Sequence, residues 1–423
     1  YDMIFDAIKD DQILVDFLQG KAEEYPEGIA PKDSFEDIQR NIEENIFLDA
    51  LAHPEKIYTN YPNTDITVAT VKAVLNLPGA AEDVVSVLGG IVSQSTQVDG
   101  LSGEKGLTNY SAYAVQNLAP TISKFLTLDE NLLTTLLEQY PSLYDTYRFY
   151  ADLWYDGERY PHQGDGGWFA QKDNYGAVAA TDQGTSSVYV SALSPSVYTY
   201  LWNFYEATGD TMFVKILYNM NDKSVDGLPH DIMCPDPEAI QQEIAAIIAE
   251  EGADLSRGNA NKENWGIAMM RSNEENSGPA FWLNYQSGLS HGHGDGMNLG
   301  LFAKGHDLMP DLGYPPVNYE GAWESPQAMW NRMDFSHNQV IVDKDDHGTI
   351  AGSVGQQTAL GTTELWSPGS GFSAIRVSNP NLYAATANGR YERTVAMLGI
   401  GEEDAYLLDI SRVSGGSEHA RMM

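Results

Sequence analysis

Helices first and antiparallel strands second is the architecture this sequence predicts, and three observations predict it. Apolar residues recur at helical spacing between capping residues through the first part of the chain. After Asn261 the texture changes to short β-branched and aromatic runs bounded by Gly, Asn, Asp and Pro. At 423 residues the chain is also too long for one ordinary core. The change falls near LSRGNANKENWG, so the expected division is a helical domain over residues 1–262 and a strand domain over residues 263–423.

The helical elements follow in order. SFEDIQRNIEENIFLDAL starts at Ser34, a good N-cap with Asp37 three residues on. AEDVVSVLGGIVSQ, SAYAVQNLAPTISKFL, DENLLTTLLEQY and PSLYDTYRFYADLWY keep the same spacing. SPSVYTYLWNFYEATGD begins with Ser194 as N-cap and Pro195 at the first helical position, and ends near Gly209. DPEAIQQEIAAIIAEEG repeats the device with Asp236, Pro237 and Gly252. Helix–loop–helix units therefore recur, without an exact short repeat. The expected strands are WGIAMMR, AFWLNYQS, MNLGLFAKG, HNQVIVD, FSAIRVS, LYAATANG, YERTVAMLGI and AYLLDISRVSGG. They end at SEHARMM, where a sandwich still needs its second half, so an incomplete sandwich is expected.

Composition narrows the function. The formal net charge of −36, from 24 basic and 60 acidic residues, argues against nucleic acid and anionic membranes as partners. No apolar run approaches the roughly 18 residues of a membrane-spanning helix. The chain opens YDMIFDAIKD, with no initiator Met and no charged-then-apolar pattern; no signal peptide is expected in it, and a processed or trimmed start is. The lone Cys234 excludes an intrachain disulfide framework and a thiolate metal cage.

The chemistry concentrates in a few stretches. SHGHGD sets His291 and His293 one residue apart between glycines; on a strand such residues share a face, which suggests a metal, a proton-transfer site or both. Asp311 lies among apolar residues in LMPDLGYP, and His337 opens the apolar run in SHNQVIVD. His293, Asp311 and His337 suffice for a tetrahedral metal site with one open position, and with His291 left free a structural role is favoured. QVDGLSGEKGLTNYSAYAV delivers Tyr110 at a helix start; the alternatives are a packed core tyrosine or a phenolate base, which needs a lowered pKa. Asn60 and Asn63 bracket a proline turn in TNYPNTD, as plain turn residues or as amides that polarise a carboxyl group. DGERYPHQGDGGWF, with His162, Gln163 and Asp165, has the mixture of a sugar-contacting rim or of an ordinary turn. Arg159, Arg271 and Arg332 carry guanidinium forks that match planar anions, with surface ion pairs the equal alternative.

SHGHGDGMNLGLFAKGHDLMPDLGYP, then SHNQVIVD and DISRVSGGSEH, resemble the heparinase II/III-like polysaccharide lyases; DGLSGEKGLTNYSAY and DGERYPHQGDGGWF resemble loops of their helical half. The resemblance implies an N-terminal (α/α) toroid, an incomplete barrel of helical hairpins, followed by an antiparallel β-sandwich. It implies β-elimination on a uronic-acid polysaccharide and an acidic oligosaccharide as partner, and it admits a homodimer and a secreted or periplasmic bacterial setting. In its terms His291 is an acid/base, and Tyr110 is the base and also the acid toward the leaving oxygen. His293, Asp311 and His337 are then structural zinc ligands. The neutraliser of the carboxylate is Asn60, with Asn63 in reserve and His53 as a further choice, because the expected histidine is absent from TNYPNTD. Substrate contacts fall to Asn63, Arg159, His162, Gln163, Arg271 and Arg332. The rivals are a toroidal glycoside hydrolase using Glu104 and Asp165, a metal-dependent amidohydrolase, and a non-catalytic glycan-binding protein of the same fold.

Overall fold

A computed structural model describes residues 9, 11–28, 30–169, 171–175, 195–231, 234–255, 258–273, 278–287, 290–346, 359–401 and 403–423. Ser194, the expected N-cap, lies outside the described residues. The chain folds as two compact units, residues 1–90 and 91–423.

In the first unit, Asp11 caps the helix Gln12–Glu24 through the amide of Ile13. Ser34 caps the helix Phe35–Ile42 by accepting from the Asp37 amide, as its spacing predicts. That helix continues through a π turn, Glu43–Phe47, into Leu48–Ala52. Two further helices follow, Asn63–Val74 and Ala80–Ser95, and the division between the units falls inside the second.

The second unit opens with more helices. The stretch SAYAVQNLAPTISKFL, expected as one helix, is a 3-10 turn Tyr110–Ala112, then Tyr113–Gln116 and Leu118–Phe125. The break at Asn117 lets Pro120 sit in the first turn of the last piece, where its missing N–H costs nothing. Leu132–Gln139, Ser142–Leu153, Pro195–Thr208, Thr211–Met220 and Pro237–Glu251 follow. Asp236 caps the last one through the Ala239 amide, and Gly252 ends it at φ +79°. Aromatic contacts join the helices: Tyr147 meets Tyr200 at 5.0 Å and Phe204 meets Phe213 at 4.7 Å between ring centroids. Among the described residues no helix is long and apolar enough to cross a membrane.

The strands form two larger antiparallel sheets. The first orders β1 (Ala260–Lys262), β2 (Ile267–Arg271), β3 (Ala280–Asn284), β5 (Leu299–Ala303) and β6 (His306–Asp307). The second orders β12 (Asp404–Ser414), β11 (Arg390–Ile400), β10 (Phe372–Ser378) and β9 (Thr362–Ser367). Two small pairs join β13 (His419–Arg421) to β7 (Val340–Val342), and β4 (Gln286–Ser287) to β8 (Ala359–Leu360). Alternate residues of the two sheets make the core: Ala268, Met270, Phe281 and Leu283 from the first, Ile375, Val377, Val395 and Met397 from the second. The other face of the first sheet is buried too, because helices of the same unit cover it. Phe149 packs edge-on to Trp265 at 5.6 Å, and Arg271 reaches the carbonyls of Asp152 and Trp154 at the end of Ser142–Leu153.

LYAATANG, expected as a strand, is instead a loop with a 3-10 turn at Ala384–Thr386. Thr386 closes it by donating to the carbonyls of Pro380 (2.7 Å) and Tyr383 (3.0 Å), which competes with any ladder.

Candidate active site and metal cluster

Three loops of the second unit cross one another: the segment before Tyr110, the PHQGDG strip and SHGHGD. Backbone hydrogen bonds lock the crossing. Gly106 donates to the Gln163 carbonyl (3.0 Å), Lys105 to Ser290 (3.0 Å) and Asp165 to His291 (2.9 Å). The chains pass so close that a Cβ on Gly164, at φ +63°, would lie 2.3 Å from the His291 carbonyl oxygen. SHGHGD is a turn and not the strand on which two imidazoles would share a face; His291 itself has φ +59°.

The structure brings Tyr110 and His291 together. Their rings stack with centroids 3.5 Å apart and planes 6° from parallel. The Tyr110 hydroxyl meets that of Tyr314 at 3.5 Å. Burial raises the Tyr110 pKa well above the usual tyrosine range, and the Tyr314 hydroxyl and the charges of Asp165 and Glu104 raise it further. A phenolate base needs a lowered pKa, and here the acidic and apolar neighbours act in the opposite direction.

His291 lies between two carboxylates. Its Nδ1 is 2.8 Å from Asp165 Oδ2, and its Nε2 is 3.5 Å from Glu104 Oε1. Burial pushes Glu104 above the usual carboxylate range, against the opposing effects of His291 and Ser290. Asp165 Oδ1 accepts from His293 Nε2 at 2.9 Å. Burial raises the Asp165 pKa, but hydrogen bonds from His291 and His293 outweigh it and hold the carboxyl below its ordinary value.

His293, Asp311 and His337 gather in a fully buried cluster whose ligand atoms all lie within 4.8 Å of one another. Nδ1 of His293 and Nε2 of His337 are buried without a hydrogen-bond partner. His337 Nδ1 faces the Met333 carbonyl at 2.8 Å, which leaves Nε2 toward Asp311 Oδ2 at 3.3 Å. Asn298 (2.7 Å) and the Gly313 amide (2.9 Å) hold the Asp311 carboxylate. Burial lowers the His337 pKa, yet Asp311 and Asp295 prevail and raise it to about 9. Two imidazoles and a carboxylate, each oriented by a further partner, fit a divalent cation such as zinc. Bound there, it would neutralise Asp311 and tie the three segments together.

The remaining expected residues are placed as follows. His162 is buried with both ring nitrogens unpartnered, and burial lowers its pKa against Asp173 and Asp311. Gln163 is buried with its side-chain amide unpartnered. Arg159 is nearly buried, 3.5 Å from Glu158. Arg271 is buried on the carbonyls of Gly258, Asp152 and Trp154, so its donors are spent inside the fold rather than held out for an anion. Arg332 donates to the carbonyls of Ala328 and Trp323. Asn60 and Asn63 belong to the first unit, where the Asn63 amide donates to the Asn60 carbonyl at 3.0 Å across the proline turn. His53, also there, meets Glu55 at 3.2 Å. No signal in the sequence pointed to Asp165 meeting both imidazoles. Nor did it mark the aromatic group beside Tyr110, in which Tyr314 meets Trp168 at 5.3 Å and Trp323 at 5.7 Å.

Comparison with known proteins fits this geometry. Residues 263–418 match the heparinase II/III-like, C-terminal family. The match covers the strand-rich part of the chain. Among solved structures, the chain is similar to a heparinase III (TM-score 0.58, 14% identity, 96% of this chain and 53% of that one). It is also similar to the heparan sulfate lyase HepC from Pedobacter heparinus (TM-score 0.53, 14% identity, 95% and 53%). A mutant of that enzyme gives a TM-score of 0.57 at 12% identity, over 98% and 60%. The chain thus spans between half and two thirds of the length of these structures. At such identities the likeness shows the fold, an (α/α) toroid followed by an antiparallel β-sandwich. No curated protein matches the chain.

Proposed function

We propose that this protein is a polysaccharide lyase that cleaves a uronic-acid polysaccharide by β-elimination and leaves a 4,5-unsaturated uronate end. The observation that carries the reading is the Tyr110–His291 stack, which sets two proton carriers side by side at the loop crossing. The C5 proton of a uronate is weakly acidic because its carbanion would sit beside a carboxylate. Neutralising that carboxylate lets the charge delocalise as an enolate-like species. With Nδ1 turned to Asp165, His291 offers Nε2 to take the C5 proton. The C4–O4 bond then breaks, and the Tyr110 phenol gives its proton to the departing O4. A hydroxyl held protonated suits that second step better than the first.

Asn60 enters as the amide that neutralises the carboxylate on the strength of the resemblance alone, with Asn63 in reserve. The ring faces of Trp168, Tyr314 and Trp323 suit packing against sugars. Gln163 and His162 offer buried polar atoms nearby in sequence to Asp165, whereas Arg271 is left out of the substrate contacts. His293, Asp311 and His337 are proposed to hold a structural zinc ion. The polysaccharide, and with it a periplasmic or secreted setting, belongs to the same proposal.

The test is an absorbance assay with a panel of uronate polysaccharides. A lyase product absorbs near-ultraviolet light through its new double bond. New reducing ends without that absorbance would instead mark a hydrolase, and unchanged oligosaccharide a binding protein.

A further inference from the structure

His291 and His293 meet the same carboxylate from the two sides of one crossing. Asp165 Oδ2 lies 2.8 Å from His291 Nδ1, and Oδ1 lies 2.9 Å from His293 Nε2. A carboxylate accepts and does not donate, so both nitrogens that face it carry protons. One residue thereby fixes two tautomers. His291 hydrogen-bonds Asp165 through Nδ1 at 2.8 Å, while its Nε2 stands at the longer 3.5 Å from Glu104, whose carboxyl burial pushes toward the protonated form, and so is kept for exchange with a substrate. His293 keeps Nδ1, buried and unpartnered, for the metal cluster.

The backbone holds Asp165 in this double role. Its amide donates to the His291 carbonyl (2.9 Å), and the preceding Gly164 amide donates to Asp295 Oδ2 (3.2 Å). The carboxylate therefore cannot follow one imidazole without leaving the other. The close pass of Gly164 at the His291 carbonyl leaves no room for the strip to slide.

We propose that Asp165 is a positioning residue that couples the metal cluster to the proton-transfer pair by setting the tautomer of both histidines. The proposal rests on the lyase reading for its effect on turnover, but not for its effect on the metal or on the rings. It also makes a sharp distinction between two substitutions. An asparagine has one acceptor and one donor end, so Asp165→Asn can satisfy only one imidazole as it stands and must invert the other. Inverting His291 puts the proton on Nε2 and removes the base; inverting His293 puts it on Nδ1 and removes a ligand. Asp165→Glu keeps two acceptors.

The experiment labels the nine histidines with nitrogen-15 and reads ring tautomers by long-range proton–nitrogen spectra, in wild type and in Asp165→Asn. Zinc chloride is then titrated calorimetrically into metal-free protein, and kcat and KM are measured on the responsive polysaccharide. One ring should invert, with a loss of about 10- to 100-fold in either zinc affinity or kcat and little change in KM. Unchanged tautomers, with zinc affinity and kcat both within about twofold, would overturn the proposal. If Asp165→Asn does not fold, Asp165→Glu with wild-type tautomers supports the coupling, and inverted tautomers in it oppose the coupling. An absence of any lyase activity in the wild type sinks the lyase reading alone, since the ring spectra and the zinc titration still decide this inference.

Discussion

His291 and His293, one residue apart in the chain, sit in opposite surroundings. His291 keeps 29% of its side chain exposed, stacks on a phenol and turns a nitrogen toward Glu104. His293 is fully buried and turns a nitrogen toward two other cluster members. Both hang from Asp165. The difference teaches that burial separates identical residues of an HxH pair: the proposed function gives the open one proton exchange and the closed one cohesion.

The largest effect should come from the open side. Tyr110→Phe removes the proposed proton donor and keeps the ring that stacks on His291. Turnover should fall about 100- to 10,000-fold, while the melting temperature stays close to wild type. A variant retaining more than a tenth of the activity would break the assignment of Tyr110.

Next comes the closed side. His337→Ala leaves Asp311 buried without its charge partner, and removing one member of a buried pair costs about 3–5 kcal/mol. Chemical denaturation should show that loss. Chelation should lower the melting temperature of wild type and leave His337→Ala unmoved. Equal sensitivity of both proteins to chelator would show that the cluster does not hold the metal.

A smaller effect tests the floor beneath both sites. Lys105 is buried, donates to the Trp265 carbonyl at 2.5 Å and lies 3.5 Å from the centroid of its ring. Burial, opposed by Asp295 and Asp99, brings its pKa down from 10.5 to about 7. Between those values the unfolded chain binds a proton there that the folded chain does not. Stability should therefore rise with pH across that window. Denaturant titrations from neutral to alkaline pH should show the rise in wild type and a flatter profile in Lys105→Met.

The smallest effect belongs to the rim. Trp168, 40% exposed beside Tyr314, is the proposed sugar-packing face beside the Tyr110–His291 pair. Trp168→Ala should raise KM several-fold, about 1 kcal/mol, with kcat nearly unchanged. A drop in kcat alone would move Trp168 into the reacting geometry.

Much of this was legible in the chain and some was not, for physical reasons. Ser34, Asp236 and Gly252 act locally, so their capping roles could be read from neighbours three residues away. The cluster of His293, Asp311 and His337 could be named because histidines and a lone aspartate stand out in apolar runs. The bridge at Asp165 could not, since it joins residues more than 120 positions apart (126 for His291, 128 for His293) through a loop crossing that has no periodicity. Arg271 shows the same limit. Its charge is visible in sequence, but the three carbonyls that absorb it come from elsewhere in the fold. Strands such as β4, β6 and β8, two residues each, are too short for alternation to announce them.

The close pass at Gly164 carries a consequence for engineering. With a would-be Cβ on Gly164 2.3 Å from the His291 carbonyl oxygen, and another on Gly166 2.7 Å from the Leu107 amide nitrogen, the PHQGDG strip tolerates no side chain at either glycine where it passes the other two loops. Grafting any single one of these loops from a related scaffold would import the wrong clearances. The three must be exchanged as a set, which makes the crossing, rather than any one segment, the smallest transplantable piece of this enzyme-like fold.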